Sequence, residues 1–149
     1  MTTTAPDPRA AFAEFTRALV EDLRAHDGVV TEGRFAGRPV LLLHTVGAKS
    51  GEARLAPLVY SKDGDRHVIL ASKGGAPVHP AWYVNLLANP IVTVEAEGET
   101  FKARAIVAAG AEHDRLYAAH AAPNPVFNEY QEKTTRKIPV VALERLREG

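Results

Sequence analysis

Apolar side chains recur every three or four positions near the start of the chain. The residues that follow this spacing, with charged residues between them, are Phe12, Phe15, Leu19 and Leu23. A spacing of three to four matches the turn of an α-helix and places these side chains on one face. The pattern predicts an amphipathic helix from Pro8 to about Asp27.

Short apolar runs bounded by turn residues dominate the rest of the chain. They occupy residues 39–46, 55–60, 66–71, 91–96, 100–107 and 138–143. Such runs are typical of β-strands, and Glu97-Gly98-Glu99 predicts a hairpin reversal. Short helices are predicted over residues 80–88, 112–120 and 126–135. Together these elements predict an α+β fold, with a small antiparallel barrel of about six strands and peripheral helices.

The length of 149 residues suits a single domain. We expect a flexible N-terminal tail at residues 1–8 and one domain at residues 9–149. The chain has no run of roughly 18 apolar residues, so we predict no integral membrane segment. Its first residues lack the basic and apolar regions of a signal peptide, which predicts a cytoplasmic protein.

Charge and cysteine content narrow the chemistry. Eighteen basic and eighteen acidic residues cancel, which argues against a general nucleic-acid binder. The chain has no cysteine, so disulfides, iron–sulfur clusters and thiol redox chemistry are excluded. Its six histidines lack the spacing of a metal site, and we predict none. Any redox function therefore requires a borrowed cofactor.

Two segments place glycine beside lysine directly after an apolar strand. The first is Gly47-Ala48-Lys49-Ser50-Gly51-Glu52-Ala53-Arg54, and the second is Ser72-Lys73-Gly74-Gly75. Glycine lets backbone N–H groups approach an anion, which the cationic side chains neutralise. If both loops lie at one end of the sheet, they form one groove for a large anion. Ordinary solvated turns are the alternative interpretation.

Two further features indicate that the ligand also has a flat apolar part. Pro57 within a predicted strand marks an edge or a bulge, where a ring can lie against the sheet. Trp82 and Asn85 are three residues apart on a predicted helix and so share a face. A lone tryptophan is more often part of the core, and that alternative stays open.

These segments belong to a longer set of motifs whose order and spacing are specific. The set is Leu41-Leu42-Leu43, Gly47-x-Lys49-Ser50-Gly51-x-x-Arg54, Pro57-Leu58-x-Tyr60, Ala71-Ser72-x-Gly74-Gly75, His79-Pro80-Ala81-Trp82-x-x-Asn85-Leu86, Asn89-Pro90 and Arg136-Lys137-Ile138-Pro139-Val140-Val141. Over about residues 10 to 146 the chain closely resembles the deazaflavin-dependent nitroreductase family. The resemblance implies a split β-barrel like that of the flavin-binding pyridoxamine-phosphate oxidases. It also implies a cofactor, the reduced 8-hydroxy-5-deazaflavin called coenzyme F420.

By this resemblance, three groups of residues form the cofactor site. The phosphate and the anionic tail are held by Lys49, Ser50 and Arg54. Along the ring system lie Pro57, Tyr60, Ser72, Lys73, Gly74 and Gly75. Trp82 and Asn85 close the pocket from the helix.

The resemblance also implies hydride transfer to a small-molecule acceptor such as a quinone, an enone or a nitroaromatic compound. The expected acceptor-binding residues are Phe127 and Tyr130, and Tyr130 is expected to donate a hydrogen bond or a proton to the acceptor. We expect nitro-reducing relatives to have a second tyrosine near the position of Phe127. Phe127 therefore predicts weaker polarisation of a nitro group.

Other functions stay open at the level of sequence. A split barrel can hold a lipid, haem or flavin without catalysis, because fold does not fix function. A purely structural domain is less consistent with lysines and glycines in both loops. A homodimer and peripheral contact with a membrane are both compatible with this sequence.

Overall fold

The computed structural model describes residues 8–31, 33 and 35–146, and of residues 8–13 it describes only the backbone. The first helix, α1, spans Pro8–Ala25, slightly less than the sequence predicts. The predicted tail lies outside the described residues except for Pro8, which begins α1. The side chain of Phe12 also lies outside them.

Seven antiparallel strands form one sheet. They are β1 (Val40–Val46), β2 (Ala53–Val59), β3 (Ser61–Asp63), β4 (Arg66–Leu70), β5 (Ile91–Ala96), β6 (Glu99–Val107) and β7 (Val140–Arg145). Their order across the sheet is β2-β1-β5-β6-β7-β4-β3. The sequence does not predict β3, because Lys62-Asp63-Gly64-Asp65 has the composition of a turn.

The sheet closes on itself through Tyr60. β2 and β3 lie at opposite edges of the strand order, yet only Tyr60 separates them in the chain. The two edges are therefore parts of one continuous path, and the sheet must curl into a barrel. At the crossing point the Tyr60 N–H donates to the Pro39 carbonyl at 3.0 Å. This geometry confirms the predicted α+β barrel.

Antiparallel pairing gives the barrel two distinct ends. β1, β4 and β6 finish at one end, which we call the loop end because both glycine–lysine loops start there. β3, β5 and β7 finish at the opposite end, which we call the turn end. The hairpin turn there has φ values of 54° at Glu97 and 78° at Gly98, both positive as a type I′ turn requires.

Alternation along β1 divides the core into two clusters. Leu41 and Leu43 belong to the cluster inside the barrel, together with Leu86. Leu42 points to the other face and is covered by Leu23 of α1. All five side chains are buried, and truncating such a leucine to alanine typically costs about 2–5 kcal/mol. The loops at each end are thus carried by a rigid wall.

Three further helices surround the barrel. They are α2 (Ala81–Ala88), α3 (Gly110–Ala121) and α4 (Val126–Glu132). The chain leaves β4 and enters β5 at the loop end, so α2 lies at that end, and α4 lies there because it precedes β7. Among the described helices, none is long and apolar enough to cross a lipid bilayer.

Candidate active site

The first loop, residues 47–52, turns the chain tightly between β1 and β2. The Gly47 N–H donates to the Glu52 carbonyl at 2.8 Å, and the Gly51 N–H donates to the Gly47 carbonyl at 2.9 Å. Gly51 has a φ of 70°, a conformation that favours glycine. Lys49 and Ser50 lie at the tip of this turn and are exposed. The loop therefore presents a cation and a hydroxyl at the loop end.

Asn85 of α2 fastens the first loop to the helix. Its Oδ1 accepts a hydrogen bond from the Ala48 N–H at 3.0 Å, and its Nδ2 donates to Thr45 Oγ1 at 3.2 Å. Asn85 is only 7% exposed, and its bond to Thr45 is buried while its bond to Ala48 is partly buried. The amide thus supports the first loop. A direct contact between Asn85 and a cofactor stays a prediction.

The second loop, residues 72–76, leaves β4 in a conformation that needs glycine. Lys73, Gly74 and Gly75 have successive φ values of 47°, 63° and 84°. The Gly75 N–H donates to the Ser72 carbonyl at 3.0 Å. A Cβ added at Gly75 would lie 2.8 Å from the Tyr130 carbonyl oxygen. Helix α4 therefore packs directly on this glycine.

Arg136 braces the second loop from behind. Its Nε donates to the Ala76 carbonyl at 2.9 Å, its Nη1 to the Ala71 carbonyl at 3.0 Å, and its Nη2 to the Ser72 carbonyl at 2.8 Å. Nη1 also lies 3.1 Å from His79 Nδ1. Sequence pattern alone does not predict this brace, because the three carbonyls lie 60, 65 and 64 positions from Arg136.

The two loops border an opening in the barrel wall. β2 pairs with β1, and β4 pairs with β7 and β3, so no described strand fills the space between β2 and β4 at the loop end. We call this opening the split. The first loop leads into β2 on one side of the split, and the second loop leaves β4 on the other. The structure therefore brings the two loops to one opening, as expected.

Positive charge is available at the split. Lys49 and Lys73 are exposed, and within the described part of the chain neither forms an ion pair. Arg54 lies 3.1 Å from Glu52, with both side chains more than half exposed. An exposed pair of this kind contributes about 1 kcal/mol or less and yields readily to a ligand anion.

β2 is an edge strand, as the position of Pro57 predicts. Its register with β1 puts Pro57 and Arg54 on opposite faces of the sheet. Arg54 is opposite Thr45, whereas Pro57 is opposite Leu42. Leu42 belongs to the outer cluster under α1, so Pro57 lies on the outer face and Arg54 on the inner face. A contact between Pro57 and the ring system of a cofactor stays a prediction.

Tyr60 is not brought to the split. It is buried in the inner cluster, and its ring centroid lies 4.9 Å from that of His67. Burial, together with a smaller effect of the Glu97 carboxylate, raises the pKa of Tyr60 to about 12. Because Glu97 forms the hairpin turn, this phenol is oriented toward the turn end and stays protonated. Tyr60 lies away from the split because it links β2 to β3. Short-range sequence patterns do not show this link.

Trp82 and Tyr83 of α2 cover the inner cluster. They are 9% and 8% exposed, and their rings meet edge to face with centroids 6.3 Å apart. Most of the Trp82 ring is therefore part of the core, as the alternative interpretation expects. Only the edge of the ring is accessible to a ligand. The Tyr83 ring lies 4.8 Å from that of His79, the residue beside Arg136.

Phe127 and Tyr130 lie one turn apart on α4, beside the second loop. Phe127 is 9% exposed, and its ring meets those of His120 and Tyr130 edge-on at 4.6 and 5.5 Å. Tyr130 is half-buried, with Lys133 Nζ 5.9 Å from its ring centroid. Tyr130 is thus the more accessible of the two rings, and Phe127 supports it.

Two cavities lie at the turn end, away from the split. One of about 130 Å³ is bordered by Arg24 of α1 and by Gly98. The other, of about 630 Å³, is bordered by Lys62, His67 and Phe101. In the described residues there is no group of three or more side chains that could hold a metal ion. The candidate site is therefore the split with its two loops.

Known proteins are similar in sequence to most of this chain. Residues 15–145 match the family model described as F420H(2)-dependent quinone reductase. The chain belongs to this quinone reductase family. An F420H(2)-dependent quinone reductase of Mycobacterium tuberculosis is 40% identical over 136 residues, which is 85% of this chain and 91% of the relative. The deazaflavin-reductase resemblance is thereby confirmed at the level of the family.

Solved structures agree with the placement in the F420H(2)-dependent quinone reductase family. A structure described as an F420-H2 dependent reductase (FDR-A) is 39% identical, with a TM-score of 0.66, and the match covers 72% of this chain and 95% of that one. A structure described as a domain-swapped dimer is 34% identical, with a TM-score of 0.68, covering 93% and 100%. The split-barrel fold is therefore confirmed, whereas the individual site residues stay predictions.

Proposed function

We propose that this member of the quinone reductase family transfers a hydride from reduced coenzyme F420 to a quinone. The observation that carries the proposal is the split, where two glycine–lysine loops meet with Lys49 and Lys73 free of ion pairs among the described residues. The family match and the relative from M. tuberculosis support this donor and acceptor. When bound, the deazaflavin supplies the hydride, and the protein supplies binding, orientation and electrostatics.

The residues at the split fit both parts of the cofactor. F420 combines a planar ring system with an anionic tail of phosphate and glutamates. Lys49 and Arg54 on the first-loop side suit the tail, and each charge-assisted hydrogen bond contributes about 1.5–3 kcal/mol. On the second-loop side, Gly74 has no side chain to keep a flat ring away from the backbone.

Reducing a quinone requires a proton as well as a hydride. The hydride adds to the quinone, and a proton joins its oxygen to give the hydroquinone. Tyr130 is the proposed donor to this oxygen because it is half-buried beside the second loop and its backbone touches Gly75. A half-exposed phenol can recover its proton from solvent. Enone and nitroaromatic acceptors stay predictions.

Replacing Tyr130 by phenylalanine tests the proton step. We expect Tyr130→Phe to lower kcat by at least about tenfold, because general acid catalysis contributes about 10²–10⁴ in rate. The Kd for F420 should stay unchanged. Tyr117→Phe is the control, because it also removes one tyrosine hydroxyl. That hydroxyl donates to the carbonyl of Phe127 on α4, the helix that carries Tyr130. Unchanged turnover in Tyr130→Phe would remove this residue from the mechanism.

Two measurements on the purified protein test the function itself. Fluorescence titration with F420 should show saturable binding, and a soluble quinone should then oxidise the bound reduced cofactor. Absence of saturable binding would overturn the proposal. Binding without turnover of any quinone, enone or nitroaromatic compound would favour the alternative of a non-catalytic binding protein for a lipid, haem or flavin.

Assembly and location are further predictions. A relative described as a domain-swapped dimer supports a homodimer, which light scattering would detect. Val78, Val84 and Leu87 are large apolar side chains exposed near the loop end, and they support peripheral contact with a membrane. Sedimentation with anionic vesicles tests that contact. A cytoplasmic location also stays a prediction.

A further inference from the structure

Arg136 has no carboxylate partner among the described residues. Its side chain donates to the carbonyls of Ala71, Ser72 and Ala76, and Nη1 also lies 3.1 Å from His79 Nδ1. Hydrogen bonds from a guanidinium are roughly twice as strong as neutral ones, so the orientation of these carbonyls is fixed. No carboxylate in the described part of the chain cancels the charge of Arg136, which therefore adds to the positive potential of the second loop.

The orientation of these carbonyls determines where the loop N–H groups point. In a planar trans peptide, a carbonyl and the following N–H point in opposite directions. Arg136 draws the carbonyls of Ala71 and Ser72 toward itself, so the N–H groups of Ser72 and Lys73 point away from it. Neither of these N–H groups donates a hydrogen bond to another described residue. These two N–H groups are therefore oriented donors that have no acceptor among the described residues.

A side chain of α4 holds the backbone of Arg136 in place. Gln131 Nε2 donates to the Arg136 carbonyl at 2.8 Å, and the Ile138 N–H donates to Gln131 Oε1 at 2.9 Å. Gln131 therefore fixes the chain on both sides of Lys137. Gln131, which supports Arg136, is thus the neighbour of Tyr130, the candidate acceptor-binding residue, on one short helix.

We propose that Arg136 is a positioning residue for the cofactor. It holds the N–H groups of Ser72 and Lys73 toward the split, where they donate to acceptor oxygens of the deazaflavin ring system. Its charge strengthens these donors by adding positive potential behind the loop. The identity of the ligand rests on the proposed function, whereas the ordering of the loop by Arg136 does not.

Two substitutions separate the geometry of Arg136 from its charge. Arg136→Met removes both, and Arg136→Lys keeps the charge but not the three-way fork. We expect Arg136→Met to raise the Kd for F420 by about tenfold or more, and Arg136→Lys to raise it less. At saturating cofactor, kcat should change less than Kd. Lys137→Met is the control, because Lys137 is exposed and its contact is with Asp114 at 3.7 Å.

Amide hydrogen exchange in the protein without cofactor gives a second readout. Arg136→Met should accelerate exchange at Gly75 and Ala76, whose N–H groups bond within the second loop, and leave His67 at the turn end unchanged. Equal acceleration at His67 would mean general destabilisation and would overturn the positioning role. Wild-type F420 affinity in Arg136→Met would also overturn it. Failure of the wild-type protein to bind F420 would instead overturn the proposed function and the assigned ligand.

Discussion

The two ends of the barrel differ in how their positive charges are used. At the turn end, Lys62 and Arg145 lie against carboxylates, and the buried His67 imidazole, whose pKa burial lowers, shares one of these carboxylates. Lys62 Nζ and His67 Nε2 contact Glu97 Oε1 at 3.1 and 3.0 Å, and Arg145 Nη1 contacts Glu99 Oε2 at 2.9 Å. Lys62 and then His67 hold the pKa of Glu97 below its usual value, as expected for a carboxylate with these partners.

At the loop end, Arg54 has an exposed partner in Glu52, but three other cations have no carboxylate partner among the described residues. Lys49 and Lys73 are exposed and unpaired there, and Arg136 is bound by carbonyls. The larger cavity nevertheless lies at the turn end, where its charged walls already neutralise one another. The proposed ligand site therefore rests on charge that remains available at the split, not on cavity volume.

The largest expected effect tests how tightly the loop end is built. Gly75→Ala puts a Cβ 2.8 Å from the Tyr130 carbonyl oxygen at a φ of 84°, and we expect the free energy of unfolding to fall by about 3 kcal/mol. Gly74→Ala is the matched control, because its φ of 63° is similar and no atom lies within 4 Å of the added Cβ. It should cost about 1 kcal/mol. Urea unfolding measures both, and equal losses would contradict close packing of α4 on the second loop.

A pair of lysine substitutions compares the two ends directly. Lys49→Ala at the loop end should raise the Kd for F420 by about tenfold to a hundredfold, because a charge-assisted contact is lost. Lys62→Ala at the turn end should leave that Kd unchanged, since Lys62 is committed to Glu97. Fluorescence titration checks both variants. A similar loss in the two would mean that only the total charge of the protein matters.

The smallest expected effect is a pH dependence at the turn end. Arg115 and then Arg66 lower the pKa of Asp63 from 3.8 to about 2. The carboxylate therefore stabilises the folded state above the unfolded pKa, and this contribution is lost as the pH falls through the folded pKa. Asp63→Asn should slightly lower stability at neutral pH, and the difference should shrink as the pH falls and vanish below about pH 2. A constant difference across the acid range would exclude the ion pairs as its cause.

Sequence patterns predicted the fold well wherever the signal is local. The apolar runs locate β1, β5 and β6 to within a few residues, because each run is bounded by turn residues. The closure of the barrel is different. It depends on β2 continuing through Tyr60 into β3, a strand hidden in the charged segment 61–63. Only long-range pairing with β4 shows that this segment is a strand.

The candidate site was predictable in its loops but less so in its supports. Glycine beside lysine marks both loops because backbone conformation and charge are local properties. The expected contact between Asn85 and the cofactor stays a prediction, and the support that its amide gives the first loop through Ala48 and Thr45 was not foreseen. Arg136 had no assigned role, since its partners are distant in sequence. Side chains that act through tertiary hydrogen bonds leave no periodic signal.

The crossing at Tyr60 also determines where this protein tolerates a change in length. Adding or removing one residue there would shift the register of β3 against β4 by one position and turn its side chains to the opposite face. Gly64 offers the contrast, because it is an exposed turn residue with no atom within 4 Å of an added Cβ. An inserted tag or reporter domain therefore belongs at Gly64, at the end of the barrel farthest from the split.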